Sequence, residues 1–278
     1  MKSGRLHKLA AFTLTPDGGN PAGVWIGEEL PDPASMQRIA AEVGYSETAF
    51  LAPTAGSERV VRYYSPVAEV PFCGHATIAA GVVLAESGGD GVYRLSTAVG
   101  PVPVSVQLRG GHREASLTSV EPRFAPVSEA LLSEALTILG WGQTDLDPSI
   151  PPANAYAGAW HLVLAAAHAE RLATLDYDFD HLTALMLANN LTTLQLIWRE
   201  SRNTFHARNP FPVGGVVEDP ATGASAAALG GYLRQAGLIQ APAVITIRQG
   251  EAMGRPSRIT VEIPEHGGII VTGSAVPI

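Results

Sequence analysis

One pattern occurs twice in this chain, and it constrains the fold more than any other feature. The first copy reads Arg62-Tyr63-Tyr64-Ser65-Pro66, then Glu69-Val70-Pro71-Phe72-Cys73-Gly74-His75-Ala76-Thr77. The second reads Arg208-Asn209-Pro210-Phe211-Pro212, then Glu218-Asp219-Pro220-Ala221-Thr222-Gly223-Ala224-Ser225. With Gly74 and Gly223 aligned, Glu69 to Gly88 and Glu218 to Gly237 share seven residues of twenty without a gap. In each copy the stretch from Arg to Pro reads as a strand and the stretch from Pro to Gly as a turn. The small-residue run that follows reads as a helix closed by glycine. An offset of 149 residues in a chain of 278 predicts two similar halves. The expectation is that the two helix starts face each other and make the active site.

Composition removes several alternatives. Hydrophobic residues make up 46% and charged residues 16%, the balance of a well-packed soluble protein. The 29 Gly and 21 Pro predict many short strands and turns. No apolar run reaches the roughly 20 residues of a membrane span, and Met1 to Arg5 lacks the apolar stretch of a secretory signal. A single cysteine permits no internal disulfide, which fits a reducing, cytoplasmic setting. A net charge of −8 without a basic cluster argues against nucleic acid. Cys and His are too scattered to predict a structural zinc site, and neither a G-x-G-x-x-G turn nor a Walker loop supports a nucleotide. No cofactor and no metal are expected.

Along the chain, Leu6 to Thr13 and Val24 to Ile26 read as strands. Ser35 is expected to cap a helix whose apolar positions are Met36, Ile39, Ala40 and Val43, stopped by Gly44. Tyr45 to Leu51 and Val60 to Tyr64 read as strands. The helix from about His75 to Glu86 is apolar nearly all round, which predicts burial. Val102 to Leu108 alternates as a strand, and Ala115 and Leu117 mark the next. Glu121 to Val127 reads as a connector between halves. Ser128 is expected to cap a helix through Leu139, and Trp160 to Ala165 to form a strand. A helix near Asp180 to Asn189 and strands near Thr193–Trp198 and Thr204–Arg208 lead to the second turn. The helix from about Ala224 to Gln235 follows, then strands at Val244–Arg248, Ile259–Ile263 and Gly268–Ile278. The last is expected to return to the first half. The halves are therefore 1–120 with 268–278, and 121–267.

A helix N-terminus offers about four unpaired N–H groups and roughly half a positive charge. Small residues after Gly74 and Gly223 let a ligand approach that backbone closely. Two such ends could hold a carboxylate or a developing oxyanion. The polar side chains nearby each carry a plain reading beside a chemical one. Asp219 and His75 can simply cap helices, and Glu47 can be a solvated strand carboxylate. In a closed cleft Glu47 is instead desolvated and suited to shuttle a proton. Glu69 and Glu218, repeated together with Arg62 and Arg208, read as structural ion pairs. Cys73 reads as a small buried apolar residue or as a thiol base. Its repeat partner is Thr222, which excludes a two-thiol racemase.

These residues resemble the phenazine-biosynthesis PhzF-like isomerases, relatives of diaminopimelate epimerase. The resemblance is carried by Gly19-Asn20-Pro21-Ala22, Tyr45-Ser46-Glu47-Thr48-Ala49-Phe50, Pro71 to Thr77, Glu218 to Gly223, and Gly250 with Met253-Gly254-Arg255-Pro256-Ser257. It implies an α+β fold of two pseudo-symmetric diaminopimelate epimerase-like domains, each a curved, mostly antiparallel sheet or barrel round a central helix. It also implies a cofactor-free isomerase, often a homodimer, acting on a small carboxylate substrate with no nucleic acid or membrane partner. The family's proton-moving glutamate falls on Glu47, and its other catalytic positions on His75 and Asp219. Substrate contacts fall on Asn20, Ser46, Gly74, Ala76, Gly223, Ala224 and Ser225. The family's Ser after T-G is here Ala224, with Ser225 one later.

The leading expectation is therefore proton-transfer isomerisation with Glu47 as base. One alternative is a one-thiol racemase or epimerase using Cys73. Another is a non-catalytic binding protein for small carboxylates.

Overall fold

The computed structural model describes residues 4–54 and 58–278. The chain divides into two compact units, Met1–Thr118 with Thr272–Ile278, and Ser119–Val271. Among the described residues no helix is long and apolar enough to cross a membrane.

The first unit comprises β1 (Gly4–Ala11), β2 (Asn20–Gly27), α1 (Pro33–Val43), β3 (Glu47–Pro53), β4 (Glu58–Tyr64), the short β5 (Glu69–Val70), α2 (Gly74–Gly88), β6 (Gly91–Thr97), β7 (Gly100–Arg109) and β8 (His112–Thr118). The C-terminal strand, Ile270–Pro277, returns to pair antiparallel with β1, Leu9 opposite Pro277, and it also pairs with β8. The ladder β1-β2-β3-β4-β6-β7-β8 thus closes on the C-terminal strand as an eight-stranded barrel. Only β2–β3 and β4–β6 are parallel among the described pairings of β1 to β8.

Helix α2 packs against β1, β2, β3, β6, β7 and β8 and is buried continuously from His75 to Ala85. Its sequence explains this position, because a helix with no polar face can satisfy itself only inside a closed wall. At Gly81 that wall comes close. A Cβ there would lie 2.7 Å from Val104 Cγ1.

The second unit comprises β9 (Arg123–Pro126), α3 (Glu129–Leu139), β10 (Ala153–Tyr156), β11 (Trp160–Ala166), the one-turn α4 (Ala169–Ala173), α5 (Phe179–Ala188), β12 (Thr193–Ser201), β13 (Thr204–Phe211), β14 (Val216–Asp219), α6 (Gly223–Gln235), β15 (Ala243–Gln249) and β16 (Ser257–Ile263). In chain order the C-terminal strand is then β17. The second unit repeats the first unit's ladder: β11–β12 and β13–β15 are parallel, as β2–β3 and β4–β6 are, and β14 is a short partner of β13 as β5 is of β4. Helix α6 packs against β9, β10, β11 and β16, and Gly230, the repeat of Gly81, sits with its Cβ position 3.0 Å from Val261 Cγ1. The shared glycine is thus a shared close approach of helix to wall. Helices α3 and α5 cover the outer face of β11 and β12 through Leu131, Leu136, Leu139, Leu182, Leu185 and Met186.

The fold class follows the expectation: two α+β units, each a curved sheet round one buried helix. Several local readings change. Asp32, not Ser35, caps α1; its carboxylate accepts from Ser35 N at 3.0 Å, and Pro33 takes the first helical position, where a missing N–H costs nothing. Glu121 to Val127 is more than a connector, because β9 within it pairs with β10. Strands β6 and β10 were not expected, since Gly91–Thr97 and Ala153–Tyr156 lack the strong apolar alternation that marks their neighbours. Ser128 and Gly140 bound α3 as read, Ser128 Oγ accepting from Leu131 N and Gly140 adopting a left-handed conformation.

The interior of the second unit is more polar than its composition suggested. His161, Thr193, Gln195 and Asn209 are all fully or nearly fully buried. His161 Nδ1 lies 2.8 Å from Thr193 Oγ1, and burial pushes the imidazole down to about 3, so it stays neutral throughout the range in which such a protein is folded.

Candidate active site

Each repeated turn builds a polar cluster within its own unit, and the two clusters differ. In the first, β3 begins at Glu47, opposite Ala22 of the parallel strand β2. Cys73 is the N-cap residue of α2, in extended conformation and with no side-chain cap bond, so its thiol is turned to other work. It donates to Glu47 Oε2 at 3.4 Å and lies 3.3 Å from His75 Nδ1. His75 Nε2 is 3.5 Å from the same Glu47 oxygen and 3.3 Å from Ser46 Oγ. Asn20 Nδ2 lies 3.3 Å from His75 Nδ1. A donor at Nδ1 leaves the ring proton on Nε2, directed at Glu47 and Ser46. Carboxylate, thiol and imidazole thus meet in one place.

The scaffold beneath them is rigid. Thr77 Oγ1 donates to Cys73 O at 2.6 Å, and Tyr63 OH, 2.7 Å away, completes the bridge from β4. Burial holds the Tyr63 phenol far above its ordinary value, so it remains a neutral donor. Gly74 opens the helix. A Cβ at Gly74 would meet nothing within 4 Å, and its backbone is not left-handed. Neither packing nor torsion demands glycine there. Ala76 is fully buried on the same turn.

In the second unit the turn is clamped rather than open. Asp219 ends β14 at 8% exposure, and Thr222 Oγ1 donates to its Oδ2 at 2.5 Å. Gln249, which the sequence did not single out, holds both sides of the turn. Its Nε2 donates to Asp219 O at 2.7 Å and to Thr222 Oγ1 at 3.0 Å, and its Oε1 accepts from Thr222 N at 3.1 Å. The signal that could have found it is the adjacent Gly250. That glycine has φ +75°, and a Cβ on it would lie 2.7 Å from Pro220 O, so the segment must press against the turn. Ser225 is fully buried; its Oγ donates to Thr222 O and accepts from Asn209 Nδ2 at 2.8 Å. Its hydroxyl, expected to contact substrate, is therefore engaged inside the unit. The counterpart of Glu47, opposite His161 at the start of β12, is Thr193. The carboxylate is present in one unit only.

The Arg–Glu pairs expected from the repeat are present in both units. Arg62 Nε lies 2.6 Å from Glu69 Oε1, and Arg208 Nε 3.0 Å from Glu218 Oε1, each with a second parallel bond from Nη2. They brace the turns.

The sequence profile of the phenazine biosynthesis-like protein family, PhzC-PhzF, matches residues 9–278. The chain belongs to this family. A Deinococcus radiodurans protein named as an isomerase is 33% identical over 95% of this chain and 88% of its own. The trans-2,3-dihydro-3-hydroxyanthranilate isomerase of Pseudomonas fluorescens is 30% identical over 90% of this chain and 86% of its own. A crystal structure of a PhzF-family phenazine biosynthesis protein from Bacillus anthracis superposes with a TM-score of 0.88 at 23% identity, covering 99% of this chain and 97% of that one. The chain is an isomerase of the PhzF type.

Proposed function

We propose that this isomerase moves a proton between two carbons of a small carboxylate-bearing substrate, with Glu47 as the base. The observation that carries this reading is the meeting of Glu47, His75 and Cys73 at the open start of α2. Glu47 takes a proton from carbon. The electron pair left behind delocalises into the substrate's conjugated system, and the proton is returned at a second carbon. His75 Nε2–H, 3.5 Å from Glu47 Oε2, orients the carboxylate and assists the return. The N–H groups at Gly74 and its successors hold the substrate carboxylate. The substrate named for the Pseudomonas fluorescens relative, a hydroxylated dihydroaromatic carboxylate, has the chemistry this arrangement suits.

The test is NMR of that compound and related cyclic carboxylates in deuterated buffer with the full chain. Solvent deuterium entering a carbon position supports proton transfer. Saturable binding without exchange across the series supports the carboxylate-binding alternative instead.

Gly74→Ala separates ligand approach from folding. Alanine is favoured in a helix by about 0.5–1 kcal/mol over glycine, and the position is open. The thermal midpoint is expected to hold or rise slightly while KM for the exchanging substrate rises at least several-fold. An unchanged KM would remove Gly74 from the binding site.

A second reading is favoured by one contact. Cys73 Sγ lies as near Glu47 and His75 as a thiol base would need to be. Under the leading reading Cys73→Ala retains exchange; under one-thiol racemisation it abolishes it.

A further inference from the structure

We propose that the interior of the second unit binds a structural water that bridges His161, Gln195 and Asn209. All three side chains are fully buried. Four of their polar atoms, His161 Nε2, Gln195 Oε1, Gln195 Nε2 and Asn209 Oδ1, have no hydrogen-bond partner among the described residues. Strand pairing puts the three side chains on one face. His161 of β11 lies opposite Thr193 of β12, and Gln195, two residues on, points to the same side. Leu196 lies opposite Arg208, so the preceding Gln195 is beside Asn209 of β13. That face is the inner one, because Asn209 Nδ2 reaches Ser225 Oγ on α6 at 2.8 Å.

The bonds already made fix what is left over. Asn209 Nδ2 uses its two N–H groups on Thr193 Oγ1 at 3.2 Å and Ser225 Oγ at 2.8 Å, so its Oδ1 is a spare acceptor. Thr193 Oγ1 accepts from Asn209, and its own proton goes to His161 Nδ1, 2.8 Å away. The proton of the neutral imidazole is then on Nε2, a spare donor. Gln195 adds a spare carbonyl oxygen and a spare amide nitrogen. Donors and acceptors thus stand on neighbouring strands without bonding one another. A single water joins them by accepting from His161 Nε2–H and donating to Asn209 Oδ1 and Gln195 Oε1.

The chemistry selects water over an ion. His161, Thr193, Gln195, Asn209 and Ser225 carry no charge, since burial keeps the imidazole neutral, so an ion would meet no counter-charge among them. The first unit meets the same need differently. Its matching positions are Ala22, Ala49 and Tyr63, and the one polar side-chain atom there, Tyr63 OH, is paired with Thr77 Oγ1 at 2.7 Å. The second unit's water extends a network that runs through Asn209 and Ser225 to Thr222 O, at the start of α6. It therefore helps to hold the second repeated turn in place, whatever reaction the protein catalyses.

The experiment is a crystal structure of the full chain at near-atomic resolution, paired with urea unfolding of Gln195→Met. Density for a water within hydrogen-bond distance of His161 Nε2, Asn209 Oδ1 and the Gln195 amide is expected. The Gln195 side chain makes no hydrogen bond to the protein, so Gln195→Met, close to it in shape, removes only bonds to water. The unfolding midpoint is expected to fall, because the water and its remaining partners lose a bond. A buried amide bonded to nothing gives the opposite sign: an apolar side chain then relieves an unmet desolvation cost, and the midpoint rises. An interior without water density at these atoms, or a Gln195→Met midpoint that holds or rises, overturns the proposal. If the methionine variant does not fold, the wild-type density decides alone.

Discussion

Glu47→Gln is expected to lower deuterium exchange and turnover by about 10²–10⁴-fold, the range that positioned general acid–base catalysis contributes. The substitution keeps the shape of the side chain and replaces a proton acceptor by an amide that cannot take a proton from carbon. Its Oε1 can still accept from Cys73, and the side chain is only 16% exposed at the mouth of the turn, so the local packing need not change. Circular dichroism and the unfolding midpoint should therefore match the wild type, and KM should move much less than kcat, since the carboxylate-binding N–H groups are untouched. His75→Asn should cost less than Glu47→Gln, because it removes an orienting group and leaves the base in place. Near-normal exchange by the Glu47→Gln protein would falsify the assignment of the base. An equal loss in Cys73→Ala would transfer the role to the thiol.

The outline of this arrangement was legible because it is written in local patterns. The repeated Arg, Glu, Pro and Gly positions encode a strand, a braced turn and a helix start, and each is a short-range feature. The small residues of α2 and α6 announce helices that must be enclosed, and the shared glycine at positions 81 and 230 marks a close approach of helix to wall in both units. What the sequence withheld depends on which strand lies beside which. Nothing near Gln249 in the chain indicates that its amide spans Asp219 and Thr222, because that contact crosses thirty residues of helix and strand. Cys73 read as a small apolar residue because burial is the usual fate of a lone cysteine. The Glu47 carboxylate reaches it from β3, across 26 residues of chain. The polar interior of the second unit was invisible for the same reason, since His161, Thr193 and Asn209 lie on three different strands. Ser225, which stood in the sequence where a substrate hydroxyl was wanted, is drawn inward by Asn209. Reading the sequence located the turns; the strand pairing decides which side chains each turn collects.

Arg208→Ala is expected to destabilise the protein far more than Arg62→Ala, although the two arginines occupy the same place in the repeat. Both pairs are bidentate, so geometry does not separate them. Burial does. The Arg208 and Glu218 side chains are 14% and 4% exposed, against 32% and 39% for Arg62 and Glu69. Arg208 also donates to Ala173 O at 2.8 Å, which ties α4 to β13. Removing Arg208 leaves Glu218 as a buried carboxylate without its counter-charge, a loss of about 3–5 kcal/mol for pairs of this kind. Removing Arg62 leaves Glu69 able to hydrate, and exposed pairs are worth roughly 0–1 kcal/mol. Urea unfolding of both variants at one pH measures the difference, with the transition followed by Trp fluorescence. The double variant Arg208→Met with Glu218→Leu then distinguishes charge from packing. It should recover most of the loss, because replacing both buried partners by apolar groups removes the desolvated charge that the single substitution exposes. Equal costs for Arg208→Ala and Arg62→Ala, or a double variant no better than the single, would mean that the second turn is held by Gln249 and its neighbours rather than by the ion pair.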